Sequence, residues 1–283
     1  MGLTIFEQIR SLKFLKNQEW LWNLLRKPYR NLLNIRGNGV KMNISKVIDI
    51  IVPPEYYHEV HKNFEPDTVK KIVDFIKKEQ NIIVIDIGCS IGLLSAVSLF
   101  SSNNAEVIAL DSDIQSVKST ERIIKYSPNK NLKTIYGFVS DQNKSGFNFD
   151  SAINNTRNEI ERKSIKGDPI DAKFVCLQHD KENKIPTSNL DELFYSKFFP
   201  TKKTVLIKCD VEGAELFVLK GAKKILSEYN PVLLLSVHPQ FLPLYKHTKQ
   251  DVEAILKEYG YKIDVFSIDH EEHWWCTKEL KSI

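Results

Sequence analysis

Asn81-Ile82-Ile83-Val84-Ile85-Asp86-Ile87-Gly88-Cys89-Ser90-Ile91-Gly92 is the stretch from which the fold is read. An aliphatic run broken only by Asp86 has the pattern of a strand buried on both faces, as in a parallel sheet covered by helices. The glycine turn then leads straight into the helical pattern of residues 93–100. Glycines let the backbone come close to a ligand, and a helix N-terminus offers free amide donors. This order predicts an α/β core with a nucleotide-like site at the carboxyl edge of its sheet.

Working outward, further short apolar runs fall at 106–110, 133–139, 204–209, 232–237 and 261–266, with a last strand after His270-Glu271-Glu272-His273. Helical patterns separate them. Residues 65–79 open at Glu65-Pro66-Asp67, with proline tolerated in the first turn; 213–228 end before Asn230-Pro231; 248–259 start at a capping Thr248 and stop at Gly260. The expected architecture is Rossmann-like: a mostly parallel seven-stranded sheet flanked by helices. Residues 1–64 read as an N-terminal extension and 65–283 as the main domain. Residues 140–203 form an insertion before the fourth strand, far longer than an ordinary connection and suited to shaping an acceptor site.

Composition removes several alternatives. The net charge of +4 balances many acids against many bases, so a surface coated by nucleic acid is not expected. Cys89, Cys176, Cys209 and Cys276 are widely spaced, with no zinc or disulfide pattern and no secretory leader, which points to reduced thiols in the cytoplasm. No apolar run reaches the roughly 20 residues of a bilayer span. Residues 5–33 mix Trp20, Trp22 and several leucines with lysine and arginine, as helices packed on the domain do, or as an amphipathic helix in peripheral contact with a membrane would.

The turn is not the G-x-G-x-x-G that cradles a dinucleotide pyrophosphate. Asp86 would repel a pyrophosphate but suits the cationic amino acid end of S-adenosylmethionine. Asp111 ends the next strand about 20 residues past the glycines, where a carboxylate accepts the ribose hydroxyls. The competing reading makes Asp111 a helix cap, a role that Asp113 fits better.

With Asp86-Ile87-Gly88-Cys89-Ser90-Ile91-Gly92, Asp111, Leu190-Asp191-Glu192-Leu193, the block Ile207-Lys208-Cys209-Asp210-Val211-Glu212-Gly213-Ala214-Glu215-Leu216 and Leu219-Lys220-Gly221-Ala222, the chain resembles the FkbM methyltransferases over about residues 40–266. The resemblance implies a class I methyltransferase fold, S-adenosylmethionine as donor, and usually O-methylation of a sugar, glycan precursor or other hydroxylated metabolite. Two positions depart from the family pattern. Cys89-Ser90 replaces Ala-Asn in the turn, and Asp111-Ser112 replaces Glu-Pro, which shortens the carboxylate's reach. The candidate donor-binding set is Glu65, Asp86, Gly88, Cys89, Ser90, Gly92, Asp111, Ser112, Ser140 and Asp210.

Asp210 emerges at the end of a buried strand, and His238 ends the neighbouring one. Asp210, Glu212 and His238 are the candidate catalytic residues, with His238 as the base that takes the acceptor's proton. The alternative reading makes Glu212 a cap of the next helix. Oxygen ligands plus one imidazole also suit a divalent cation, although the sequence does not require a metal. Lys208, inside a buried strand, calls for an ionic partner. His270-Glu271-Glu272-His273 has ligand spacing but reads as an exposed turn. Val52-Pro53-Pro54-Glu55-Tyr56-Tyr57 lacks the amide or carboxylate that opens the Pro-Pro-Tyr loop of nucleic-acid amino methyltransferases. The alternatives to a hydroxyl methyltransferase are a non-catalytic donor-binding accessory protein and a nucleic-acid methyltransferase. No motif identifies the small-molecule or glycan acceptor.

Overall fold

Alternate residues of the first core strand pack on opposite sides of one sheet. Ile83, Ile85 and Ile87 join Phe149, Leu193, Phe194 and Leu219 on one side, and Ile82 and Val84 join Ile44, Ile72, Ile76 and Leu99 on the other. The computed structural model describes residues 39–54, 56, 63–162, 184–198 and 203–278, together with 28, 31, 32 and 37. The amphipathic pattern of residues 5–27, the apolar stretch 174–177, Cys176, Glu55 and Tyr57 lie outside the described residues.

An antiparallel hairpin, β1 (Val40–Ile44) and β2 (Ile48–Val52), precedes α1 (Pro66–Lys78), β3 (Ile82–Ile87), α2 (Leu93–Ser101), β4 (Ala105–Asp111), α3 (Ile114–Ile123) and β5 (Leu132–Tyr136). Then come β6 (Phe138–Val139), α4 (Phe149–Arg162), β7 (Thr187–Ser188), β8 (Thr204–Cys209), α5 (Glu215–Lys220), β9 (Val232–Val237), α6 (Lys249–Glu258), β10 (Tyr261–Ile268) and β11 (Glu272–Lys278). The seven-stranded sheet has the order β10-β11-β9-β8-β3-β4-β5. Its strands run parallel except β11, which is antiparallel to both β9 and β10. This is the expected Rossmann-like class I methyltransferase fold. The order reverses between β3 and β8, so a crevice opens beyond their carboxyl ends, where open α/β sheets bind ligands. Among the described residues no helix is long and apolar enough to cross a membrane.

Capping follows local chemistry. Thr248 accepts from Asp251 N–H while Asp251 accepts from Thr248 N–H, a reciprocal box that starts α6. Asp113 accepts from Gln115 N–H and caps α3. Two expectations need correction. The single strand over 133–139 splits after Tyr136, because Gly137 lies against the Pro186 carbonyl and the chain turns to pair β6 with β7. The single helix over 213–228 breaks at Gly221, whose missing Cβ leaves room for the Ser140 carbonyl; a Cβ would stand 2.1 Å from that oxygen. The hairpin ahead of α1 shares its apolar layer with α1, α2 and β3.

Lys208 is the polar exception within the sheet. It stands beside Asp86 in the β3–β8 register, and its Nζ lies 3.1 Å from Asp86 Oδ1. Both side chains are buried. Removing one member of a buried pair strands the other charge and costs about 3–5 kcal/mol. Lys208→Met is therefore expected to lose about that much stability in chemical denaturation, and Asp86→Asn on top of it should restore a large part. Additive losses would show that the two groups do not stabilise each other.

Candidate active site

Backbone strain gathers at the carboxyl edge of the sheet. Glu65, Ser90 and Glu212 adopt φ of 32°, 49° and 47°, a left-handed conformation that non-glycine residues keep only where their surroundings impose it. All three line one cavity of about 760 Å³, within the size range of small-molecule sites. Gly88, Asp111, Ser112, Asp210 and His238 line it as well. Eight of the expected residues thus meet at one place.

Asp86, Cys89, Gly92 and Ser140 do not line it. Asp86 sits beneath the turn, accepting from Ser95 Oγ at 2.6 Å and paired with Lys208, so it does not face the donor as expected. Cys89 is buried with Sγ 3.4 Å from Thr120 Oγ1. Gly92 packs against Thr120, and Ser140 turns its hydroxyl to Asp141. The turn's amides are also spent internally: Gly88 and Cys89 N–H donate to Leu110 O, and Gly92 N–H donates to Cys89 O. Gly88 itself (φ +74°) serves closure between strands, since a Cβ there would fall 1.8 Å from the Asp210 carbonyl oxygen.

One wall of the cavity rests on Asp111. Its Oδ2 accepts from Ser90 N–H and its Oδ1 from Asp113 N–H, each at 2.8 Å. These bonds fix the carboxylate across the glycine turn, with the cavity in front of it. Burial pushes its pKa up to about 7 despite the two backbone donors. Burial likewise raises Glu65 to about 7. An adenosine ribose fits this wall, and the sulfonium and ammonium of S-adenosylmethionine fit the carboxylates of Glu65, Asp210 and Glu212 opposite.

The other wall is built by neighbouring strand ends. Lys208 reaches up from β8, 3.5 Å from Asp210 Oδ2, and donates to Gly88 O at 2.8 Å. Burial alone would lower its pKa, but Asp86, Asp210 and Glu65 outweigh that and raise it. His238, just past β9, turns Nδ1 to Glu215 Oε1 at 2.8 Å. Its Nε2 meets Glu271 Oε2 directly and lies 3.7 Å from Asp210 Oδ1. Burial works against protonation of this ring, but Glu215, Glu271 and Asp210 raise its pKa to about 10. His238 thus lines the cavity, and the carboxylates at both of its ring nitrogens favour the charged form over the free base expected of it. Burial also raises the pKa of Asp210 and Glu212, despite Lys208 beside Asp210. Glu212 does not cap α5, whose N-cap is Ala214.

Three residues in or just behind this wall had no role in the sequence reading. Glu215, fully buried, closes the Asp-x-Glu-Gly-Ala-Glu block and holds His238. Its place in the block was visible, but its partner comes from another strand. Glu271 and His273 belong to the stretch expected to be an exposed turn; it does enter β11, but these two side chains are 4 % and 1 % exposed. Their ligand-like spacing was the available signal.

If Asp111 holds the ribose as a carboxylate, donor affinity must fall as the group protonates. By calorimetry, S-adenosylhomocysteine should bind roughly tenfold more weakly at pH 6 than at pH 8, one factor of ten for each unit below the free-state pKa. Asp111→Asn should bind weakly at both. A wild-type affinity independent of pH would remove Asp111 from the ribose.

Solved structures that resemble the chain include a precorrin-6y C5,15-methyltransferase from Geobacter metallireducens (11% identity, TM-score 0.42, 76% of this chain and 90% of that one). A putative caffeoyl-CoA O-methyltransferase from Staphylococcus aureus also does (10% identity, TM-score 0.42, 92% and 99%), as does Aeropyrum pernix fibrillarin with natively bound S-adenosyl-L-methionine (11%, 0.38, 71% and 67%). No curated protein matches the chain. The profile of the Methyltransferase FkbM domain matches residues 61–263, and the chain therefore belongs to the FkbM family of S-adenosylmethionine-dependent methyltransferases.

Proposed function

We propose that the protein moves the methyl group of S-adenosylmethionine to a hydroxyl oxygen on a sugar, glycan precursor or hydroxylated secondary metabolite. The observation that carries this reading is one cavity with two unlike walls. Asp111 and the glycine turn form one wall, and Asp210, His238 and Glu271 form the other.

When bound, S-adenosylmethionine supplies a methyl group on a positively charged sulfur. Asp111 holds the ribose, while Glu65 and Glu212 face the donor's cationic end. Catalysis is then chiefly alignment, which converts an encounter between two molecules into a reaction within one site. Asp210 receives the acceptor's proton as the new C–O bond forms and the methyl–sulfur bond breaks, while His238 and Glu271 orient the hydroxyl. Phe241 stacks near His238, with centroids 5.8 Å apart, and lines the same cavity with Tyr245. Their faces suit the apolar face of a sugar ring or a flat metabolite. Buried thiols at Cys89, Cys209 and Cys276, none in a disulfide, support a cytoplasmic setting.

Incubation with isotopically labelled S-adenosylmethionine and cell glycan and metabolite extracts, read by mass spectrometry, should place label on a hydroxyl oxygen. Asp210→Asn should lower the transfer rate about 10²- to 10⁴-fold, a far larger change than its effect on S-adenosylhomocysteine affinity. Label confined to nucleic acid or protein would refute the hydroxyl reading. Donor binding without transfer to any pool would make the chain an accessory protein.

A further inference from the structure

The geometry points to a divalent-cation site, of the Mg²⁺ or Mn²⁺ class, formed by His238 Nε2 and the carboxylates of Asp210 and Glu271. One ligand atom from each lies within 4.8 Å of the others. They come from the end of β8, the end of β9 and the turn before β11, so three separate backbone segments converge on one point. Two carboxylates and one imidazole match the preferences of such ions and leave positions for outside oxygens.

Four further features support a ligand here. First, Glu215 accepts from His238 Nδ1, so Nδ1 carries a proton and Nε2 is the nitrogen turned to the carboxylates. Glu215 is itself fixed by Gly213 N–H at 3.0 Å. A buried carboxylate behind an imidazole is how proteins orient a histidine for a metal. Second, His273 is 1 % exposed, and its Nε2 has no hydrogen-bond partner. That nitrogen points at Glu271 Oε1 and Asp269 Oδ2, 3.5 Å from each, while Nδ1 is occupied by Ser236 Oγ at 3.2 Å. Third, Glu271 is common to both histidines, presenting Oε2 to His238 and Oε1 to His273; Glu65, Glu271 and His273 form a second convergent set. Fourth, Glu65, Asp210, Glu212, Glu215, Asp269 and Glu271 crowd a space whose close cations are Lys208, committed to Asp86, Asp210 and Gly88, and His238, where a metal ion would take the place of the Nε2 proton. A cation relieves that crowding.

An ion here stands against the cavity wall assigned to the acceptor. It would bind the acceptor oxygen and lower the pKa of its hydroxyl. That catalytic role rests on the hydroxyl-methylation reading, whereas the site rests on side-chain geometry alone.

The test uses the full chain, stripped with a chelator and titrated with Mn²⁺, the free ion being followed by its electron paramagnetic resonance signal. One ion per chain is expected, with Mg²⁺ competing for it. Glu271→Gln, His238→Gln and Glu215→Gln should each weaken Mn²⁺ by roughly 10- to 100-fold, and Asp264→Asn, at an exposed ion pair, should not. Circular dichroism and S-adenosylhomocysteine binding on the same preparations separate loss of the ion from loss of the fold. Mn²⁺ binding without methyl transfer would overturn the functional reading and leave the metal site standing. Failure of the wild-type chain to take up Mn²⁺ at about 1 mM, or unchanged uptake by well-folded Glu271→Gln and His238→Gln, would overturn the metal site.

Discussion

Lys208 carries a positive charge near the carboxyl end of a buried strand, and much of the site is arranged around it. The ammonium binds Asp86 beside it in the register, Asp210 at the strand end and the carbonyl of Gly88 in the turn. It thereby joins β3 to β8 at the point where the strand order reverses. Gly88 lets these strands close, because any side chain there would collide with the Asp210 carbonyl. One buried cation and one missing Cβ set where the crevice opens and which carboxylate stands at its edge.

From that junction the two walls follow different rules. The Asp111 wall is made by backbone donors aimed at a carboxylate, joining two successive strand–turn–helix units. The opposite wall is made by charge, with Glu215, Glu271 and Asp210 enclosing His238. Low exposure strengthens these interactions, and it makes each ionised group costly unless it is matched. The left-handed backbone at Glu65, Ser90 and Glu212 belongs to the same economy, since strain persists where surrounding structure holds it.

The sheet was legible because continuous aliphatic runs and glycine turns are local signals. Lys208 was legible in a weaker sense: a lysine in such a run demands a partner, though not which one. Asp86 misled because a carboxylate beside a glycine turn suits a cationic ligand, while its actual partner lies more than 100 residues away in sequence. His238 could be read as a strand-end imidazole, but its carboxylate partners Glu215 and Glu271 could not, because they meet it only in three dimensions. Glu271 and His273 were discounted because polar residues before a strand usually face water. Burial of Glu271 and His273 depends on His238 and Ser236, which come from another part of the chain.

A structure of the chain with S-adenosylhomocysteine tests the two-walled cavity most directly. The ribose hydroxyls should lie on Asp111, with the sulfur turned towards Asp210, His238 and Glu271 at a distance that leaves room for an acceptor oxygen. A ribose held away from Asp111, or a sulfur turned from that cluster, would contradict it.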